Sequence, residues 1–136
     1  MTLHIKVVTP EKEILSEEVD EVVVPTVGGE LTILPEHVAL LTQLAPGELQ
    51  IKKGHKTDHL VIVGGFLEVG NDTVSVLADY AAMGKDISEA KAQQAKEKAE
   101  KAMKERKSDI DFAMAEAEFR RAILELKVAK RQKGQI

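Results

Sequence analysis

From Lys85 to Lys133 the chain contains neither glycine nor proline, and Ala, Lys and Glu dominate its composition. All four prolines and eight of the nine glycines lie before that stretch. Glycine and proline are the residues that interrupt helices, so a stretch without them that is rich in strong helix formers can run as helix from end to end. The chain is therefore read in two parts, residues 1–84 and residues 85–136.

Residues 1–80 show the opposite pattern. Short β-branched runs alternate with turn signals: LHIKVVTP, VDEVVVPT, ELTILP, ALLTQL, GELQIKK, HLVIVGG, FLEVG and TVSVLAD. The pairs Gly28-Gly29, Lys53-Gly54, Gly64-Gly65 and Asn71-Asp72 supply the turns. Many short strands without a helical period predict an antiparallel β-sandwich or barrel. In the last hairpin Phe66 and Val69 fall on opposite faces, so one face can meet water.

The second part predicts two antiparallel helices, 87–105 and 110–131. Asp86-x-x-Glu89 resembles a capping box for the first, and Ser108-Asp109-Ile110-Asp111 offers a cap and an acidic first turn to the second. Ala92, Ala95, Ala99, Ala102 and Met103 share one stripe of the first helix. Phe112, Ala115, Phe119, Ala122, Ile123, Leu126 and Ala129 share a stripe of the second, with Ile110, Met114, Ala117, Leu124 and Val128 partly round it. Alanine faces bury little area, about 0.8 kcal/mol per methyl-sized group. Opposite charges four residues apart, such as Glu97 with Lys101, support the first helix locally. A hairpin stable in itself but lightly held is a candidate moving part; a permanently packed pair is the plainer alternative.

Composition narrows the function. The chain has 136 residues and no cysteine, which excludes disulfides and thiolate metal sites and fits a reducing compartment. One Tyr, three Phe and no Trp argue against base-stacking recognition of nucleic acid. No apolar run approaches the length of a membrane span, and the amino terminus lacks the pattern of a secretory signal. The net charge of -4 is unevenly divided, with 5 basic and 13 acidic residues in 1–84 against 14 and 10 in 85–136.

Catalytic patterns are missing. There is no phosphate-binding loop, dinucleotide fingerprint, nucleophile elbow or HExxH helix. His55 and His59 are four apart but fall at an expected hairpin turn, which favours a surface turn over a metal site. His4 has a structural place by default, and Glu17-Glu18 and Asp20-Glu21 read as solvated strand faces. The one segment with unexplained polar residues is 30–38, where Pro35 ends a strand and leaves Glu36 and His37 on a loop.

That segment carries a resemblance. Gly29-Glu30-Leu31-Thr32-Ile33-Leu34-Pro35-Glu36-His37-Val38-Ala39-Leu40 is similar to the GELGI-P-GH-PL segment of the epsilon subunits of bacterial F-type ATP synthases. The likeness continues in order through Pro46-Gly47, Gly64-Gly65-Phe66-Leu67-Glu68-Val69, Val74-Ser75-Val76-Leu77-Ala78 and Ser108-Asp109-Ile110-Asp111-Phe112. It covers essentially the whole chain.

The resemblance implies a non-catalytic central-stalk subunit. It is expected at the cytoplasmic face of the bacterial cell membrane, peripherally, within a machine coupling proton or sodium-ion flow to ATP synthesis. The β-sandwich would bind the gamma subunit and the c-subunit ring, with Glu30, Leu34, Pro35, Glu36, His37 and Val38 as interface candidates. The helices would fold on the sandwich or extend into the alpha/beta head, where they inhibit ATP hydrolysis. About 45 helical residues in line span roughly 65 to 70 Å, enough for that reach. Arg120, Arg121, Lys127, Lys130 and Arg131 would meet an acidic catalytic beta subunit; the bland alternative is favourable charge near a helix C-terminus.

Some members bind ATP on the folded hairpin through an I/L-D-x-x-R-A pattern. The matching stretch is Ile87-Ser88-Glu89-Ala90-Lys91-Ala92, with Ser for Asp and Lys for Arg. Arg121 matches a further basic position, while Glu125 falls where a second Arg can stand and would repel phosphate. Lysine keeps the charge and loses the bidentate fork. No cofactor is required on this reading, and regulatory ATP is expected to bind weakly or not at all. The competing classes are a free-standing ATP-sensing module and a small metal enzyme built on the histidines.

Overall fold

The computed structural model describes residues 1–105 and 107–134; the end of the second part, residues 135–136, lies outside them. Eight strands come first: β1 (Leu3–Val8), β2 (Glu13–Val19), β3 (Glu21–Thr26), β4 (Gly29–Ile33), β5 (Leu40–Gln43), β6 (Gly47–Lys53), β7 (Lys56–Gly70) and β8 (Thr73–Met83). A 3-10 turn at Gly84–Asp86 leads to α1 (Glu89–Glu105) and α2 (Asp109–Gln132). Lys133, at the end of α2, contacts Glu89, at the start of α1, so the helices are antiparallel. The two-part architecture, a β-sandwich followed by a helical hairpin, is the one expected.

The strands form one hydrogen-bonded path, β2-β1-β8-β7-β6-β3-β4, with β5 paired separately to β7. β7 makes this a sandwich. Its first half pairs with β6 and the end of its second half with β5, while Leu60 to Gly70 run against β8. Gly64 and Gly65, at φ 70 and 106, lie within this strand. They were expected to make a turn between two strands; they instead let one strand serve both layers. A Cβ on Gly65 would sit 2.0 Å from the Leu77 carbonyl oxygen, so no other residue allows that approach.

Two further departures have physical causes. β2 is an edge strand carrying Glu13, Glu17 and Glu18, and charges that discourage edge-to-edge pairing also hide a strand from an apolar pattern. β1 and β8 run parallel, an exception in an otherwise antiparallel sheet.

Alternate residues of the strands close the core, with Ile5, Val22, Ile33, Leu49, Ile62 and Leu67 fully buried among its members. Every side chain of this core cluster comes from residues 3–83. The helices contribute none of it. On the outside, Phe66 and its cross-strand partner Leu77 are about half exposed, as expected for the wet face of that hairpin.

The hairpin is bound lightly. Ala92 and Ala99 of α1 and Ala115, Ala122, Val128 and Ala129 of α2 are buried. The stripe is narrower than expected: Ala95 and Ala102 are exposed, and Ile110, Met114 and Ile123 remain open to solvent. Ser108 caps α2, its Oγ accepting from the Asp111 N–H at 3.0 Å. The cap of α1 is Ser88, whose Oγ accepts from the Lys91 N–H, and not Asp86, which belongs to the 3-10 turn.

Candidate functional site

The β4–β5 connection is built around a tight turn. The His37 N–H donates to the Leu34 carbonyl at 3.1 Å, which places Pro35 and Glu36 at its centre. Glu36 has φ 70. That combination defines a type II turn, whose third residue is usually glycine. The Glu36 N–H is received by Asp72 Oδ1 at 2.6 Å, from the turn between β7 and β8. The His37 ring donates from Nδ1 to the Val38 carbonyl at 2.7 Å, which fixes its tautomer. Leu34 and Val38, 50 and 75% exposed, project from a backbone tied down at both ends. Pro35 and His37 are half-buried beside them, and Glu36 is exposed. Glu30 is exposed on edge strand β4, opposite Pro25.

A second site lies where the hairpin meets the sandwich. α2 runs against β7, β6 and the 3-10 turn, and α1 packs along α2. Under α2 the outward-facing Val61 is as fully buried as Leu60 and Ile62, which face the core. Among the described residues, three polar contacts hold the end of the hairpin, two to the sandwich and one between the helices. Gln132 Oε1 accepts from the His59 backbone N–H at 2.6 Å. Arg131 Nε lies 3.2 Å from Glu48 Oε2, and His59 Nδ1 lies 3.3 Å from the same oxygen. The third is Lys133 with Glu89 at 2.6 Å, which holds the Glu89 carboxyl below the ordinary glutamate value. Further along α2, the Arg121 guanidinium stacks 3.6 Å over the ring of Tyr80 on β8.

The five basic candidates thus divide. Arg120 is exposed and paired with Glu116 on its own helix, and Lys127 and Lys130 are exposed. Arg121 and Arg131 are instead tied to the sandwich. Partial burial works against the charge of Arg121, but its bond to Glu125 and the neighbouring Tyr80 outweigh this and raise its pKa. Of the nucleotide candidates, Lys91, Ala92 and Arg121 line a cavity of about 340 Å3 with Ala95, Glu118, Ala122 and Glu125. Ile87 and Glu89 do not line it. His59 corrects an expectation, because it lies within β7 with its side chain 12% exposed and not on the surface turn. Among the described residues no cluster of His, Cys, Asp or Glu could hold a metal ion.

Known proteins share this arrangement. The family model "ATP synthase, Delta/Epsilon chain, beta-sandwich domain" matches residues 2–84, and "ATP synthase, Delta/Epsilon chain, long alpha-helix domain" matches residues 85–130. The chain belongs to the ATP synthase delta/epsilon family. Within it, the ATP synthase epsilon chain of Herpetosiphon aurantiacus is 46% identical over 130 residues, covering 96% of each chain. That of Halalkalibacterium halodurans is 45% identical over 131 residues, covering 96% of this chain and 98% of its own. The resemblance drawn from residues 29–40 is borne out over nearly the whole length. A chain of the Euglena gracilis mitochondrial ATP synthase OSCP/F1/c-ring structure has the same fold at a TM-score of 0.73 and 24% identity, covering 98% of this chain and 80% of that one.

As a delta/epsilon family member, the chain departs from the GELGI-P-GH-PL pattern by placing Glu36 where the pattern has glycine, and the Asp72 carboxylate supports the left-handed backbone there. No described helix is long and apolar enough to cross a membrane. Glu48, His59, Tyr80, Asp72 and Gln132 were not anticipated as site residues. The uninterrupted run Leu60-Val61-Ile62-Val63 was the available signal that β7 is covered on both faces next to His59.

Proposed function

We propose that this epsilon-type chain is a non-catalytic rotor subunit of the central stalk, whose sandwich anchors on the stalk and whose hairpin leaves the sandwich to inhibit ATP hydrolysis. The observation that carries this reading is the asymmetry of packing. The sandwich core is complete within residues 3–83, whereas the hairpin is held by five alanines, Val128 and a few polar contacts. An element so attached can detach without unfolding what it leaves.

The turn at Leu34–Val38, with exposed apolar tips on a fixed backbone, suits a partner surface, and the c-subunit ring and gamma subunit are the partners proposed for it. Arg120, Lys127 and Lys130 are available to the alpha/beta head from the folded state; Arg121 and Arg131 become available only on release. Ile110 and Met114, one turn apart and exposed, give the extended hairpin a small apolar face for its new site, while Ile123 is exposed on the opposite side of α2. The complex as a whole would couple proton or sodium-ion flow to ATP synthesis, with this chain peripheral at the cytoplasmic face. Regulatory ATP is weak or absent on this reading, because Arg121 is already engaged by Glu125 and Tyr80 and two glutamates line the cavity.

The test is ATP hydrolysis by a catalytic complex lacking its epsilon subunit, titrated with the full chain and with residues 1–84 alone. Saturable inhibition by the full chain, with binding but no inhibition by residues 1–84, is expected. Equal inhibition by both would overturn the division of labour, and failure of both to bind would overturn the rotor assignment.

A further inference from the structure

The contact between hairpin and sandwich contains a titratable group that simple docking does not require. His59 Nδ1 and Arg131 Nε approach the same oxygen, Glu48 Oε2, at 3.3 and 3.2 Å. Glu48 and His59 belong to the sandwich and Arg131 to the hairpin. The Glu48 and His59 side chains are only 9 and 12% exposed. Neither approach has hydrogen-bond geometry, so Glu48 Oε2 and His59 Nδ1 are both buried without a formed hydrogen bond. Where buried groups lack hydrogen bonds, the balance of charge weighs heavily on stability.

The groups facing His59 come from several elements. β6 supplies Glu48, and α2 supplies Arg131 and Gln132, the latter accepting from the His59 backbone N–H. The turn after β8 sets Gly84 against the His59 carbonyl. On β7 itself, Asp58 is paired with Lys56 at 3.8 Å, and Lys133 beyond Gln132 is paired with Glu89. At Glu48 Oε2 itself the balance is one carboxylate and one guanidinium while His59 is neutral.

Protonating His59 places two cations on one nearly buried carboxylate oxygen. Release of the hairpin removes one of them, because Arg131 departs with α2 and His59 and Glu48 remain as a neutral pair. We infer that the Glu48–His59–Arg131 junction makes docking proton-dependent: neutral His59 keeps the hairpin on the sandwich and protonated His59 releases it. The inference rests on the reading of the hairpin as a detachable element. The sign follows from the charges. Docking is strongest at the alkaline end of the histidine range, about pH 5 to 8, and is lost toward its acid end. Acidification would thus favour the extended, inhibitory form.

The experiment uses the full chain, whose lack of cysteine allows spin labels at Lys12→Cys on the sandwich and Lys107→Cys at the hairpin tip. Distance distributions by electron–electron double resonance are recorded from about pH 8 to about pH 5.5. A roughly tenfold fall in the docked-to-open ratio is expected, equivalent to about 1.4 kcal/mol. His59→Gln and Arg131→Gln should each flatten the profile, the first by removing the titration and the second by removing the competing cation. The Arg131 side chain, 34% exposed, is the less buried of the two, so Arg131→Gln keeps the test valid should His59→Gln fail to fold. An unchanged pH response in these variants overturns the inference. So does a hairpin that opens on adding the epsilon-free catalytic complex to the same degree at every pH, although the regulatory reading then survives. A hairpin that never opens, alone or with the complex, overturns both.

Discussion

Gly84 stands at the pivot between sandwich and hairpin, and a methyl group there is a wedge. A Cβ on Gly84 would lie 2.7 Å from the His59 carbonyl oxygen, 3.0 Å from Gln132 Cβ and 3.2 Å from Val128 Cγ1. The first neighbour belongs to β7 and stays in place whether or not the hairpin is docked. The other two belong to α2 and leave with it. Overpacking of this kind costs about 1 to 3 kcal/mol, and only the share imposed by α2 is relieved on release. If about half is relieved, the open-to-docked ratio of Gly84→Ala rises roughly 2- to 12-fold, since 1.4 kcal/mol is a factor of ten. Native-state amide hydrogen exchange reads this directly. The last turns of α2 and the His59 amide, whose acceptor is Gln132, should lose protection by that factor, while Val76 and Leu67 in the sandwich core retain theirs. Unchanged protection at His59 and along Val128 to Gln132, in a variant with the normal circular dichroism spectrum, would refute this account of the junction.

Other consequences concern the loop, the strand and the end of the hairpin. Glu36→Gly should raise stability by about 0.5 to 1 kcal/mol, the left-handed penalty less the added entropy of glycine, visible as a higher melting temperature. Asp72→Ala should lower it by about 1 kcal/mol by orphaning the Glu36 N–H, with the largest chemical-shift changes at Leu34 to Val38. Gly65→Ala should cost more than about 4 kcal/mol, a loss reserved for severe backbone conflict, since its Cβ would meet the Leu77 carbonyl at 2.0 Å and φ is 106; denaturant unfolding will show it. The Lys133–Glu89 pair holds the Glu89 pKa below 4.5, so its contribution is present above that value and is lost as pH falls below it. Lys133→Gln should accordingly remove a difference in hairpin protection that exists at neutral pH and vanishes in acid.

Much of this was legible because it is local. The cap at Ser108 and the turns at Lys53-Gly54 and Asn71-Asp72 depend on residues within a few positions of each other, and each appeared where its chemistry placed it. β2 was seen only as the solvated face at Glu17-Glu18 and not as a strand run, because an edge strand spends its alternation on glutamates. The glycine pair at 64–65 was misread because its positive dihedrals suit a turn equally well; what makes it a bend inside a strand is Leu77 and Ala78 lying across it, a fact of tertiary pairing. The docking residues were least visible. Glu48, His59 and Arg131 are distant in sequence, and nothing in the neighbourhood of any one announces the other two.

The economy of the hairpin faces explains how one chain can hold two functions apart. Five buried alanines, Ala92, Ala99, Ala115, Ala122 and Ala129, supply roughly 4 kcal/mol of apolar burial at about 0.8 each, and Val128 is the one larger side chain fully buried with them, worth about 1.5 to 3 kcal/mol. A single buried Leu or Ile in the sandwich is worth about 1.5 to 3 kcal/mol by the same measure, and the sandwich has Leu3, Ile5, Ile33, Leu49, Ile51, Leu60, Ile62 and Leu67. Replacing the helix alanines by leucine would therefore bring the hairpin's burial toward the scale of the sandwich's and, where the larger side chains fit, would lock it down. Small faces keep the free energy of docking within reach of a few polar contacts, and polar contacts can be reset by a proton or a competing surface. The inference that the hairpin regulates and the inference that His59 sets its threshold both follow from that same smallness: a deeply packed hairpin would be indifferent to one charge.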